Sequence, residues 1–424
     1  MIARRSFLSA AGATAAGLLL TGCGTGTALD PNRPASAGGT LKFGSWQWLE
    51  PGRGQAMWQA IQAYQKANPS AALAQSTTPF LSFADKLNTE LGGKGGPDVF
   101  VVQDVNFYPL ADAGILAPLT SVVASHHGRP LNHTNTSGIV NGTQYGITWE
   151  RLNWNFFWNR KLLEKAKVTP PTNVKELIAA SAAIRSATGL DGFGVRHQMT
   201  EFDSWFMDFD VWTYGHGGAW SDGSRPTIDT AENLAGVEAF GEIYRSGAMP
   251  IGDDASTMRT KFREGRLAMM IDVSSTVAGI LRSSKVVTSD DIGYAERIPL
   301  PRPSAHQEIV LAVNGYSKNR NLAVDFVGWV GSDEGQSALR KAMGPSTLAT
   351  DIPLDADYAR ANPWAESFIN LAKESRSPLI KGFEAQTKAI MREVMTQVER
   401  YLVDGGNAAT ALSTAQTQVT QLIG

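Results

Sequence analysis

Between Tyr145 and Asn159 the chain reads Tyr-Gly-Ile-Thr-Trp-Glu-Arg-Leu-Asn-Trp-Asn-Phe-Phe-Trp-Asn, which sets tryptophans, asparagines, Glu150 and Arg151 side by side. Such a mixture suits sugar recognition. An indole face packs on the apolar C–H face of a pyranose, while amides and charged groups supply the planar donors and acceptors that hydroxyls need. The same residues also suit an aromatic-rich core strand, and each tryptophan carries both readings. Two other chemistries compete. Glu150, Asp104 and Asp272 are carboxylates of the kind a glycosidase uses in pairs, one as proton donor and one as nucleophile or base, roughly 5–9.5 Å apart. His126, His127 and His133 are possible metal ligands, but no acidic residue adjoins them and the segment is polar, which favours a solvated loop. No Gly-x-Ser-x-Gly or His-Glu-x-x-His motif occurs.

The elements that must hold these residues show in the periodicity. Asn141-Gly142 lies between Ile139-Val140 and Gln144-Tyr145, the signature of a hairpin with a type I′ turn, so the Tyr145 stretch begins as a strand. Beyond Trp149 the apolar Trp154, Phe156 and Trp158 alternate with residues that are mostly amides, a period of two. Leu41 to Trp46 alternates likewise, and Met57, Trp58, Ile61 and Tyr64 then recur at helical spacing until Asn68-Pro69. The loop between that strand and helix sits at a strand's carboxyl end, where open α/β sheets bind ligands, which makes Trp46, Trp48 and Glu50 candidates. Asp98 to Val102 is a buried strand followed by Gln103-Asp104, so Asp104 is a candidate acceptor. The glycines Gly92, Gly93, Gly95 and Gly96 precede that strand, and Lys94 lacks a following Ser or Thr, which excludes a phosphate-binding loop. Asn173 and Glu176 are spaced as a capping box, and a second α/β alternation runs through Asp191–Val195, the aromatic helix Ser204–Tyr214, and Phe262 to Asp272.

The ends and the charge restrict the setting. Arg4-Arg5, an uncharged run from Ser9 to Leu20, and Leu20-Thr21-Gly22-Cys23 describe an export signal too short to span a membrane. The tetrad resembles a bacterial lipobox, implying cleavage before Cys23 and a lipid on its thiol. Arg4 to Leu8 resembles a twin-arginine signal. Cys23 is the single cysteine, so the exported protein holds itself together without disulfides. Gly24 to Gly39 reads as a flexible tether. With 38 basic and 40 acidic residues, the balance argues against nucleic acid as a partner.

The order of several short motifs resembles the family 1 extracellular solute-binding proteins, the sugar-binding lipoproteins of bacterial ABC importers. These are Gly96-Pro97-Asp98-Val99-Phe100, Leu110 to Leu119, Tyr145 to Trp149 leading to Phe157-Trp158-Asn159-Arg160, Thr169-Pro170-Pro171-Thr172, Phe262 to Met270, and Ala323-Val324-Asp325-Phe326 with Ser332 to Gln336. The resemblance implies an α/β fold of two lobes, like the periplasmic binding proteins, with a ligand cleft between the lobes and several hinge crossings, near Thr148-Trp149, Asp272 and Asn314-Gly315. It implies an export signal over 1–22, a tether over 23–39, one lobe from 40–147 and 273–313, and the other from 148–272 and 314–424. The implied ligand contacts are Trp46, Trp48, Glu50, Asp104, Glu150, Arg151, Trp154, Asn155, Trp205, Trp212, Asp272, Asn314 and Arg376, with Gly217 and Gly218 as turn glycines bringing backbone close to ligand. It further implies a monomeric, membrane-tethered receptor outside the cell, without cofactor or catalytic activity, that passes a carbohydrate to the transmembrane subunits of an ABC permease. Arg151 or Arg376 could instead anchor the phosphate of a glycerophosphodiester or the carboxylate of an acidic sugar. Trp154 departs from the family pattern, standing where smaller or polar residues are usual.

Overall fold

The computed structural model describes residues 39–126, 128–302 and 305–424. The expected export signal, Cys23 and nearly all of the tether lie outside the described residues, as does His127. Ten strands organise the chain: β1 (Gly39–Gly44), β2 (Ala71–Ser76), β3 (Val99–Gln103), β4 (Ile139–Val140), β5 (Thr143–Gln144), β6 (Gly146–Asn159), β7 (Asp191–Gly194), β8 (Leu267–Val273), β9 (Ile292–Tyr294) and β10 (His306–Val313). β1 pairs in parallel with β2 and β3, and the two crossovers are the helices Arg53–Ala67 and Phe80–Gly92. This is the α/β unit the alternation of Leu41–Trp46 with the Met57–Tyr64 periodicity predicts.

The long strand β6 joins the two halves of the fold. Its first part pairs antiparallel with β10, with His306 opposite Asn153, and β10 in turn pairs with β3. From Trp154 onward its partners change to β8, with Asn155 opposite Asp272, and β9. β7 then adds in parallel to β8, giving the order β2-β1-β3-β10-β6-β8-β7. One chain segment therefore serves both sheets. The β10 register slips between Ile309, opposite Glu150, and Val310, opposite Thr148, so Trp149 is the extra residue of a bulge, close to the crossing expected at Thr148-Trp149.

All fourteen residues of β6 are buried. Its alternation of aromatic and amide residues therefore sets no solvent face apart from a core face. Both faces are covered, so the amides must find partners inside the protein. The hairpin before it forms as read, with Asn141 at φ 50° and Gly142 at φ 76°, the left-handed pair of a type I′ turn. Asn173 Oδ1 accepts from Glu176 N at 3.0 Å, and Glu176 reaches back to Thr172 N at 2.8 Å, so the box closes one residue earlier than its standard form.

A large core runs through β1, β3, β10 and the aromatic helix Phe202–Gly215. A second cluster gathers Phe157, Phe262, Met270, Val277, Ile280, Trp364 and Phe368. Packing departs from the expected lobe boundaries in two places. The helix Ser274–Ser283 joins the second cluster beside β8, where the sequence reading put residues after 272 with the first lobe. The helices Arg320–Gly331 and Asp333–Met343 pack on β10, β1 and Arg53–Ala67, where it put residues after 313 with the second. Apolar periodicity shows that a helix has a buried face without showing which sheet covers it.

The close approach of β6 and β10 at Gly146 is a sharp test of this frame. A Cβ there would stand 2.3 Å from Val310 Cγ1 and 3.0 Å from Leu311 O. Gly146→Ala is expected to destabilise the protein by about 1–3 kcal/mol through overpacking. Urea unfolding should show a lower midpoint with an unchanged slope.

Candidate functional site

The carboxyl ends of strands from both sheets face a single groove. β1 leads into Trp46, Gln47 and Glu50, β3 ends at Gln103, β8 ends at Asp272 and Val273, and Arg196 follows β7; Leu152 and Trp154 of β6 form part of the floor. Placing ligand groups at strand carboxyl ends is the general rule for open α/β sheets. The groove has a main chamber of about 610 Å³, within the roughly 300–1,000 Å³ usual for small-molecule sites. A further chamber of about 210 Å³ adjoins it, and Trp46, Phe80 and Gln103 belong to the walls of both.

Charges on the walls are answered locally. Arg259 makes a two-pronged contact with Asp272, Nε to Oδ2 at 2.8 Å and Nη2 to Oδ1 at 2.9 Å. Burial alone would raise the Asp272 pKa, but Arg259 outweighs it and holds the carboxyl below its usual range. Arg196 Nη1 donates to Asp208 Oδ2 at 3.0 Å, and Trp154 Nε1 donates to the other oxygen of Asp208 at 3.0 Å, which fixes the indole by its edge. Arg53 Nη1 donates to Glu50 Oε2 at 2.8 Å, and its other terminal nitrogen contacts Glu150. Arg263, whose Nη2 meets Thr260 Oγ1 at 3.3 Å, makes no carboxylate pair among the described residues. The wall is thus polar, with most of its charge neutralised.

Of the sequence candidates, Trp46, Glu50, Trp154 and Asp272 line the groove. The others line neither chamber. Trp48 donates from Nε1 to Phe43 O at 3.1 Å and packs edge-on against Phe43, Trp58 and Trp149. Glu150 is wholly buried, gripped by Gln47, Arg53 and, at 2.8 Å, Ser346 Oγ. Arg151 is bound to Glu308 at 2.6 Å and faces His133 Nε2 at 3.2 Å. Asp104 caps Val105 N at 2.9 Å beside the same Glu308. Asn155 bonds Ala295 O and Ser367 Oγ. Trp205 and Trp212 are core residues with no exposed surface. Asn314 ties Gly95 O and Pro97 O at 2.9 and 3.1 Å, a structural knot beside the expected third crossing. Arg376 donates to Gly218 O at 2.9 Å and lies over the Tyr214 ring; Gly218 abuts Asn233, and Gly217, at φ 90°, turns against Arg302.

Several groove residues gave no local signal in the sequence. Phe80 begins the helix Phe80–Gly92 and is the exposed aromatic beside Trp46, ring centroids 5.5 Å apart. Arg196, Asp208 and Arg259 matter through partners far along the chain or on other elements, which no spacing rule reveals. Gln47 and Gln103 stand at the same strand ends as the aromatic and acidic candidates, and an amide there carries no signal of its own in the sequence.

Two sheets sharing one buried strand, with a polar, aromatic-edged groove at their strand ends, define a two-lobed binding protein. A model of the bacterial extracellular solute-binding proteins matches residues 48–337, and the chain belongs to that family. It is 24% identical over 216 residues to a binding protein of Brucella abortus, a match covering 50% of this chain and 52% of that protein, so it spans about half the length of that relative. It is 23% identical over 359 residues to the diacetylchitobiose binding protein DasA of Streptomyces coelicolor, covering 80% of this chain and 81% of that one. In fold it matches the GacH receptor of Streptomyces glaucescens, solved unliganded and with acarbose, at a TM-score of 0.80 and 21% identity, over 91% of this chain and 98% of that one.

Two results would check the roles assigned to the buried carboxylates. Glu150→Ala leaves Arg53 buried with only Glu50 to answer it and should cost about 3–5 kcal/mol of folding stability in urea titration. Burial and the neighbouring Glu308 push the Asp104 carboxyl up to about 8 from an ordinary value of 3.8. The folded protein thus keeps this proton to a higher pH than the unfolded chain, so stability should fall as pH rises from about 4 to about 8 and level off above. Asp104→Asn should flatten that slope, as read from unfolding curves across the pH range.

Proposed function

We propose that the protein is the extracytoplasmic receptor of an ABC importer, taking a neutral carbohydrate into the groove and delivering it to the transmembrane permease by closure of its two lobes. The observation that carries this reading is the groove wall itself. It offers Trp46, Trp154 and Phe80 as apolar surfaces beside Gln47, Gln103 and Gln307 amides, while three of its four arginines are already paired to carboxylates. A neutral polyol leaves these pairs undisturbed, whereas an anion would find only Arg263 without a carboxylate partner among the described residues. Arg151 and Arg376, the groups a phosphate or acidic sugar would need, are engaged with Glu308 and with Gly218 O and line neither chamber. The named ligands of DasA and GacH, diacetylchitobiose and acarbose, are saccharides or resemble them, which agrees with the same class.

Catalysis has less support. Of the three carboxylates a glycosidase reading would use, Glu150 and Asp104 are enclosed behind the wall, and Asp272 is held ionised by Arg259. Among the described residues no helix is long and apolar enough to cross a membrane. In this reading Cys23, lipidated after export by the general or twin-arginine route, tethers a monomeric receptor to the outer face of the membrane.

A thermal-shift screen of the purified protein against neutral mono- and oligosaccharides, amino sugars, polyols and glycerophosphodiesters tests this. At about 100 times its dissociation constant a ligand of the folded state adds roughly 2.7 kcal/mol, a readily visible rise in Tm. The expected outcome is a shift with a neutral sugar that is recovered chemically unchanged. Recovery of a cleaved product would mean an enzyme, and shifts confined to phosphodiesters would overturn the neutral-ligand assignment.

A further inference from the structure

The groove is longer than one sugar needs. Its main chamber alone, at about 610 Å³, lies in mid-range for ligands of drug size, and a lone pyranose would leave much of it filled with water. The second chamber does not stand apart. It shares Trp46, Phe80, Leu81, Gln103, Glu201 and Ser204 with the first, so the two adjoin along that stretch of wall.

The chemistry of the wall continues through the junction. The Trp46 ring meets Phe80 edge-on at 5.5 Å and Phe83 at 5.1 Å, and Phe83 belongs to the second chamber only, so an aromatic strip runs from one chamber into the next. Phe80 and Leu81 stand at the junction 37% and 73% exposed, apolar surface that a packed sugar ring would cover. The second chamber also presents Met199, Phe202 and Arg392, with the guanidinium of Arg392 lying 3.9 Å over the Phe202 ring. Asn106 and Asp203, also in its wall, are bridged by Lys388 Nζ at 3.0 and 2.8 Å, so these polar groups are fixed in place and their charge is balanced. A wall of flat apolar surfaces edged with fixed, charge-balanced polar groups is the same design as the main chamber.

We infer that the second chamber is an additional subsite and that the physiological ligand is a neutral oligosaccharide longer than a disaccharide, lying along both chambers past Trp46. This rests on the carbohydrate reading above and adds to it the length of the ligand. Ala84, which lines the second chamber and not the first, offers a way to close the one without touching the other.

The test is isothermal titration of the purified protein with glucose and N-acetylglucosamine and their linear α-1,4 and β-1,4 oligomers of two to five units, for the natural chain and for Ala84→Trp. In one of the two ladders affinity should rise by about tenfold or more between two and three units, which corresponds to about 1.4 kcal/mol. Ala84→Trp should erase that rise while leaving the affinity for the shorter sugars, and the Tm of the free protein, close to natural. Binding that is already complete with one or two units, or a variant that weakens every length alike, would overturn the added subsite while leaving the carbohydrate reading intact. Failure of every sugar in both ladders to bind would overturn both.

Discussion

A carboxylate sealed from water must be answered by positive charge or donors at close range, or the fold cannot hold it ionised. Glu150 imposes that condition at the centre of this protein. It projects from the strand that both sheets share. The groups that answer it come from three distant places: Gln47 and Arg53 from the first βα unit, and Ser346 from the loop after the helix Asp333–Met343. Arg53 spends its other nitrogen on Glu50, which lines the groove, so the buried pair also sets the position of the loop that carries Trp46 and Glu50. Gln47 is oriented twice, its amide nitrogen toward Glu150 and its oxygen receiving Trp149 Nε1 at 2.8 Å. A site residue in sequence terms has become the anchor that holds the site.

What could be read from the sequence divides along the same line. Elements defined by neighbours were legible: the Asn141-Gly142 turn, the Asn173 cap and the apolar run of Val99 to Val102 each carry their cause within a few residues. The family, through the order of its motifs, was legible as well. The groove was only partly so, because a tryptophan at a strand's carboxyl end has two fates that composition does not separate. Trp46 and Trp154 reach the groove, while Trp48 turns back to Phe43 O and Trp205 and Trp212 fill the core. Arg259 and Arg196 escaped notice for a related reason: their importance lies in meeting Asp272 and Asp208, and such pairs exist only once the sheets are assembled.

On strand β6 the amides of the Tyr145–Asn159 stretch fasten the fold and do not line the groove. Amides interleaved with indoles suggest a binding face when one side of a strand is open. Here both sides are closed, and Asn155 and Asn153 serve as internal fasteners, toward Ala295, Ser367 and Ser375. Polar residues on a doubly covered strand secure neighbouring segments, and the ligand-facing polar groups come from the ends of the other strands and the segments that adjoin them.

The ion pairs of the groove have a further property. Arg53 with Glu50 and Glu150 belongs to the β1 and β10 side, and Arg259 with Asp272 and Arg196 with Asp208 belong to the β8 side; none of these reaches across the gap. Each bank closes its own bridges, while across the groove Glu50 and Arg259 attract each other without direct contact. Parting the banks therefore breaks none of these bridges and weakens only the longer-range attraction between Glu50 and Arg259, which dissolved ions screen. With no bridge to break, the balance between a gaping and a shut groove rests mainly on hydration and on whatever occupies it.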